Sequence, residues 1–155
     1  MFLGLIVSVF WGCYTFTGST LPSHLKTIEI IAIQNQTTEP IFGDRLYRAL
    51  EQGYRTRSNL RKVPQNGHCQ LSLGLLSYQL RPLTFVSDKV QSYRLDVRVS
   101  VLFKDRINNK ILFEEKNLSA IGEYSVEKNE TLDKAQERAI DFIVELVINN
   151  TVSGW

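Results

Sequence analysis

The stretch YRLDVRVSVLF, residues 93–103, decides the fold. Tyr93, Leu95, Val97, Val99, Val101 and Phe103 fall on one face; Arg94, Asp96, Arg98, Ser100 and, one step on, Lys104 fall on the other. Only Leu102 breaks the alternation. A two-residue period over this length specifies a strand with one wet face. At 100° per residue the same apolar positions would scatter around a helix axis. Such a strand needs neighbours in a sheet and an apolar layer over its Tyr93–Phe103 face.

The flanking sequence supplies both. Asp105-Arg106-Ile107-Asn108-Asn109-Lys110 reads as a hairpin turn, its Asn pair tolerating unusual backbone angles. On the return strand, about 111–124, Ile111 and Phe113 share one parity while Leu118, Ala120 and Gly122 share the other, which predicts a bulge near Glu115–Asn117. The resulting ribbon is about 40 Å long. Upstream, 69–78 alternates through Cys69, Leu71, Leu73 and Leu75, with Gly74 marking a bulge or a close neighbour. Residues 79–92, with Pro82 and Asp88, read as a loop whose Leu83, Phe85 and Val86 cover an open edge or face a partner. Residues 26–33, KTIEIIAI, carry apolar groups on both faces and read as a central strand.

Two amphipathic helices complete the layer. Over about 41–54, Phe42, Leu46, Ala49, Leu50 and Gly53 recur at three- and four-residue steps. Over 131–150, capped by Thr131, the stripe is Leu132, Ala135, Ala139, Phe142, Ile143, Leu146 and Val147. The order β-α-β-β-β-α predicts a two-layer α+β sandwich: a mixed four-stranded sheet with both helices on one face and Arg94, Asp96 and Arg98 on the wetter one.

The chain has 155 residues, 43% apolar and 22% charged, which suits a single domain with a real core. A net charge of +2 without a dense Lys/Arg stripe argues against nucleic acid as partner. The first twelve residues, MFLGLIVSVFWG, hold no charge and are too few to span a bilayer. They read as the apolar region of an export signal ending at Gly12, before Cys13. A buried first strand is the alternative, though nothing polar introduces it. Residues 13–25, rich in Thr, Ser, Gly and Pro, read as a flexible tether, and 26–155 as the single α+β domain. Cys13 and Cys69 either form one disulfide or, if Cys13 is lipidated, leave Cys69 as a small buried residue.

Catalytic chemistry finds little to work with. Glu114 and Glu115 point to opposite faces of a strand, and no metal-ligand spacing or phosphate loop occurs, so neither enzyme activity nor a cofactor is expected. Arg55, Arg57, Arg61 and Lys62 have no acidic residue among them. They read either as a solvated connection with an edge strand through Leu60 and Val63, or as a small basic patch facing an anion. A sheet with a mixed basic and apolar surface suits an amphiphile with anionic headgroups, and a long tethered wedge suits a plug or scaffold for another protein.

Several segments together resemble the LptE family of outer-membrane lipopolysaccharide-assembly lipoproteins, in its Bacteroidetes-like form. They are Gly12-Cys13-Tyr14-Thr15-Phe16 with Gly18-Ser19 and Leu21-Pro22, His24-Leu25-Lys26-Thr27-Ile28, the Asn35–Pro40 turn, Tyr93-Arg94-Leu95, and the closing Asn150–Trp155. The resemblance implies lipid attachment at Cys13, an outer-membrane location on the periplasmic side, a complex with an LptD-like β-barrel plugged by the protein, and lipopolysaccharide binding. Phe10 and Trp11 depart from the usual lipobox, which has Leu three residues before the cysteine and a small residue two before. The physical candidates for lipopolysaccharide contact are Arg106 and Lys110 at the hairpin tip, then Arg94 and Arg98 on the wet face. A structural envelope lipoprotein of another assembly, with no lipid-handling role, is the alternative.

Overall fold

The computed structural model describes residues 21–153. Along the chain run β1 (Thr27–Ile30), β2 (Gln34–Asn35), α1 (Pro40–Arg57), β3 (Arg61–Lys62), β4 (Cys69–Val86), β5 (Lys89–Asp105), β6 (Lys110–Ser125), α2 (Leu132–Ile148) and a π-helical turn (Asn149–Ser153). The two-layer α+β arrangement is as expected, but the sheet has six strands rather than four. Its order is β3-β1-β4-β5-β6, with β2 also on β4. β3, β1, β2 and β4 pair in parallel; β4, β5 and β6 pair antiparallel.

Two strands were added by local detail. The segment read as one strand, 26–33, forms a strand only over Thr27–Ile30, and β2 lies just beyond its end: Ile30 pairs with Leu71 and Gln34 with Gly74, so four steps on one side meet three on the other. The extra residue breaks the ladder and makes β1 and β2 separate pieces. The edge strand through Leu60–Val63 exists as β3, pairing in parallel with β1.

Residues 79–92 are a hairpin, not a loop. Ser87 and Asp88 both take positive φ, 47° and 62°, as a two-residue hairpin turn of type I′ requires. β4 runs straight through Pro82, which is tolerable because β1 and β2 stop opposite Leu71 and Leu75, leaving the outer edge of β4 free beyond them. A register shift between Leu75 and Ser77 also changes which face β4 presents. Leu71, Leu73 and Leu75 point into the core before it; Tyr78, opposite Val97, points inward after it.

The ribbon β5–β6 is the floor of the core. Leu95, Val97, Val99, Val101 and Phe103 are all buried, and the shift between Val99 and Val101, opposite Leu118 and Glu115, is the predicted bulge. Beyond it Leu118 and Ala120 face inward.

Above this floor α1 buries Phe42, Leu46, Leu50 and Tyr54. α2 buries two adjacent rows, Ala135, Ala139, Ile143 and Val147 beside Gln136, Ile140, Val144 and Ile148. The second row faces α1, and Gly53 lets the helices approach: a Cβ there would lie 2.9 Å from Val144 Cγ1 and against Ile148 Cδ1. Phe142, expected in the stripe, is 47% exposed instead. Thr131 does occupy the cap position, but its side chain makes no capping bond.

Residues 21–25, the end of the stretch 13–25 read as a flexible tether, are docked instead: Leu21 packs against the core and Leu25 is buried within it. His24 reaches Asp105 on the β5–β6 turn, Nε2 to Oδ2 at 2.6 Å. Asp105 is itself buried and accepts from the backbone N–H of Ile107 (2.8 Å) and Asn108 (3.0 Å) and from Asn108 Nδ2 (2.9 Å). Burial works against the charged form, yet these donors prevail and hold the carboxyl down at about 2. A carboxylate whose folded pKa is depressed adds stability above its unfolded value, near 4, and loses it as pH falls through the folded one. Wild-type protein is therefore expected to lose on the order of 2 kcal/mol between pH 4 and pH 2 through this group. Acid titration of stability should show a shallower decline in that window for Asp105→Asn; an unchanged slope would contradict the assignment.

Candidate functional site

The residues marked by the sequence lie in three places. Arg94 and Arg98 stand on the helix-free face of the sheet, where β5 is flanked by β4 and β6. Asp96 sits between guanidiniums: Arg81 donates from Nη2 at 2.7 Å and Nε at 3.2 Å, and Arg94 from Nε at 3.0 Å. Partial burial opposes ionisation of Asp96, but the two arginines hold its carboxyl below the ordinary range. Arg98 is exposed on the same face, and no ion pair engages it among the described residues. Ser77, Gln79, Ser119 and Ile121 complete this shallow polar hollow.

Arg106 and Lys110 sit at the β5–β6 turn, seven or more residues along the ribbon from Arg98, about 24 Å away. Arg106 is bound to Glu29 on β1, Nη1 to Oε2 at 2.6 Å. Lys110 is exposed and has no ion pair among the described residues. The four candidates thus form no single site, and two of them already face a carboxylate.

The third place is the C-terminal half of α1 with β3. Arg55, Arg61 and Lys62 line one cleft together with Arg48, Glu51, Gln52, Tyr54 and Leu60; Arg57 lies outside it. Lys62 pairs with Glu51 and stands 5.4 Å above the Tyr47 ring.

Sequence reasoning missed Arg48 and Arg81. Arg48 was legible: it precedes Arg55 by seven residues, two helical turns, which places both on one face of α1. Arg81 was hidden because its segment read as a loop.

The far end of the β4–β5 hairpin is apolar and, among the described residues, uncovered. β6 reaches only to Ser92, whose partner on β4 is Thr84, so residues 85–91 stand beyond it as two strands. Phe85 and Val86 are 60% and 54% exposed there, and Leu80 and Leu83 are 39% and 42% exposed on the adjoining part of β4. Among the described residues the outer edge of β4 from Ser77 to Val86 carries no neighbouring strand, about 30 Å of edge.

Cys13 and residues 1–12 lie outside the described residues. Cys69 is a free, buried thiol that donates to Thr27 O at 3.4 Å, and burial pushes it up to about 12. Among the described residues no helix is long and apolar enough to cross a membrane, and no three His, Cys, Asp or Glu side chains are grouped to hold a metal.

This ribbon-and-two-helix body agrees with the family comparison: the lipopolysaccharide-assembly model named LptE matches residues 25–151, β1 through the π-helical turn. The chain belongs to the LptE family. Comparison of this LptE-family protein with curated proteins finds no match. Solved structures share its fold at low identity. The hypothetical protein CT253 from Chlamydia trachomatis aligns with TM-score 0.56 and 9% identity, over 82% of this chain and 98% of that one. Lipoprotein B from Nitrosomonas europaea aligns with TM-score 0.55 and 16% identity, over 98% and 95%. A minor lipoprotein from Acinetobacter baumannii aligns with TM-score 0.52 and 15% identity, over 84% and 92%.

Proposed function

We propose that this LptE-family protein is a lipid-anchored component of outer-membrane lipopolysaccharide assembly. In this reading Cys13 carries the lipid, residues 1–12 are removed as a signal, and 13–20 link the anchor to the body on the periplasmic side. The body plugs and supports an LptD-like barrel and contacts lipopolysaccharide. The observation that carries the reading is the family match over 25–151, which spans both layers of the fold.

The hairpin end supports barrel docking specifically. Phe85 and Val86 are exposed at the end of the β4–β5 hairpin with Leu83 just before them, and exposed apolar side chains gathered at one end mark a surface that another molecule covers. Of the four candidates for lipid contact, Arg98 and Lys110 are the two without a carboxylate partner among the described residues, so they replace Arg94 and Arg106 as first candidates. Those two neutralised arginines favour the second reading, an envelope lipoprotein that only supports its assembly.

Detergent extraction of the native protein followed by intact-mass measurement tests both halves at once. The expected result is a chain beginning at Cys13 with acyl mass added, eluting with one large β-barrel. An unmodified chain eluting alone would overturn the reading; an acylated chain without a barrel would leave only the supporting role.

A further inference from the structure

We propose that the outer edge of β6 accepts an extended, basic segment of a partner protein as an added strand, running under the flank of α2 and apart from the apolar hairpin end. β6 is the last strand in the sheet order, and among the described residues no strand lies beyond it. Which of its backbone groups face outward follows from one bond. Val126 N–H donates to Gln91 O at 2.9 Å, so Val126 turns toward β5. Residues of an antiparallel pair alternate in this respect. Gly122, Ala120 and Leu118 therefore turn the same way, and Ser125, Glu123, Ile121 and Ser119 turn their N–H and C=O groups outward. The chain itself serves the end of this row: Ser125 N–H donates to Glu130 Oε2 at 3.0 Å, and Arg138 donates to Glu123 O. The N–H and C=O of Ser119 and Ile121 have no partner among the described residues.

Two other stretches of open edge are blunted. β4 carries Pro82, which has no N–H to offer, and β6 before Leu118 is broken by a bulge with Lys116 in it. From Leu118 to Gly122 there is no proline, lysine or register shift. The helix beside this stretch is apolar. Arg138 marks the flank of α2 that overlooks the edge, and Phe142 and Leu146 follow it at four-residue steps on the same side. Phe142 is 47% exposed and Leu146 half-buried. An added strand would bond through its backbone to Ser119 and Ile121 and tuck alternate side chains beneath these two.

Charge decides the occupant. Glu123 stands on the edge itself, Glu145 lies on the Arg138 flank two turns further on, and Glu115, opposite Val101, lies on the helix-covered side of β6. None of the three has an ion pair among the described residues, while Arg138 is held by Glu130 at 2.7 Å. Uncompensated carboxylates in a chain of net charge +2 call for lysine or arginine on the incoming strand. Two copies paired edge to edge would instead bring like charges together.

Binding of synthetic peptides to the full chain in detergent tests the proposal. The probe is a short peptide alternating valine with lysine. The comparisons are the same peptide with glutamate for lysine, and one N-methylated at every amide, which cannot extend a sheet. The lysine peptide is expected to bind at least ten-fold tighter than either, and more weakly as salt rises. It should slow amide exchange at Ser119 and Ile121 and leave β4 beyond Ser77 unchanged. Phe142→Ser should weaken binding at least ten-fold with melting unchanged, because that side chain lies largely on the surface. Ile41→Ser, at an exposed apolar side chain on α1, should leave binding intact. No binding of the lysine peptide, equal binding of all three, slowed exchange elsewhere than at Ser119 and Ile121, or indifference to Phe142→Ser overturns the proposal. So does slow exchange of those two amides in the free chain, which would mean that the protein covers its own edge. A dimer abolished by Phe142→Ser would give the edge to a second copy and overturn it too.

Discussion

Gly122→Ala is expected to destabilise the protein by about 3 kcal/mol, as much as overpacking of a core usually costs. Gly122 lies on β6 directly beneath the first turns of α2, opposite Leu95. A Cβ at this position would stand 2.6 Å from the carbonyl carbon of Ala135, 3.0 Å from its Cα, and closer still to its oxygen. All three are backbone atoms, so no rotamer change relieves the clash. Either α2 lifts from the ribbon or β6 bends, and both open the layer where Ala135 and Ala139 are wholly buried. Gly53→Ala provides the contrast. Its added methyl meets the ends of Val144 and Ile148, which can turn aside, so the expected cost is about 1 kcal/mol. Urea unfolding of the two variants measures the difference. A Gly122→Ala protein as stable as Gly53→Ala would mean that α2 does not lie on β6 as described.

Phe103→Ala is expected to cost about 3–5 kcal/mol, the range for emptying a buried aromatic site. Phe103 is fully buried on β5, between Leu71 on β4 and Phe113 on β6. Leu71 is equally buried and held in the central strand, so the cavity has little freedom to collapse. Phe85→Ala removes the same side chain from the exposed hairpin end and should change stability by less than about 0.5 kcal/mol. Denaturant midpoints for the pair report the contrast. A small loss at Phe103 would place the core elsewhere than over the ribbon.

The ribbon was legible because one face is buried and the other wet along its length, and the parity change from Phe113 to Leu118 located its bulge. The helix rows were less so. α2 packs on the ribbon with one row and on α1 with the next, so its buried arc is centred one residue later than a single-contact stripe suggests. Gln136 disguised that second row: it is polar, yet buried, donating to Tyr78 Oη at 2.8 Å and accepting from Arg45. Phe142 was assigned inward in its place. The β4–β5 hairpin was missed for a different reason. Ser-Asp is not among the dipeptides that announce a tight turn, and two register shifts around Leu83 and Gln91 erase the alternation that would have shown two strands. Of the candidate site, the basic residues could be counted from the sequence but not their partners. Glu29 neutralises Arg106 across 77 residues, and Arg81 reaches Asp96 only because the hairpin brings β4 beside β5.

The hairpin end is also where the functional account is most exposed to test. A photoreactive phenylalanine analogue placed at Phe85, in cells carrying the full-length protein, should crosslink to one large outer-membrane β-barrel on illumination. The same analogue at Phe142, on the outer side of α2, provides the comparison. A barrel adduct at position 85 is the predicted result; no adduct at 85, or the same adduct at both positions with equal yield, would contradict insertion of this hairpin into a barrel.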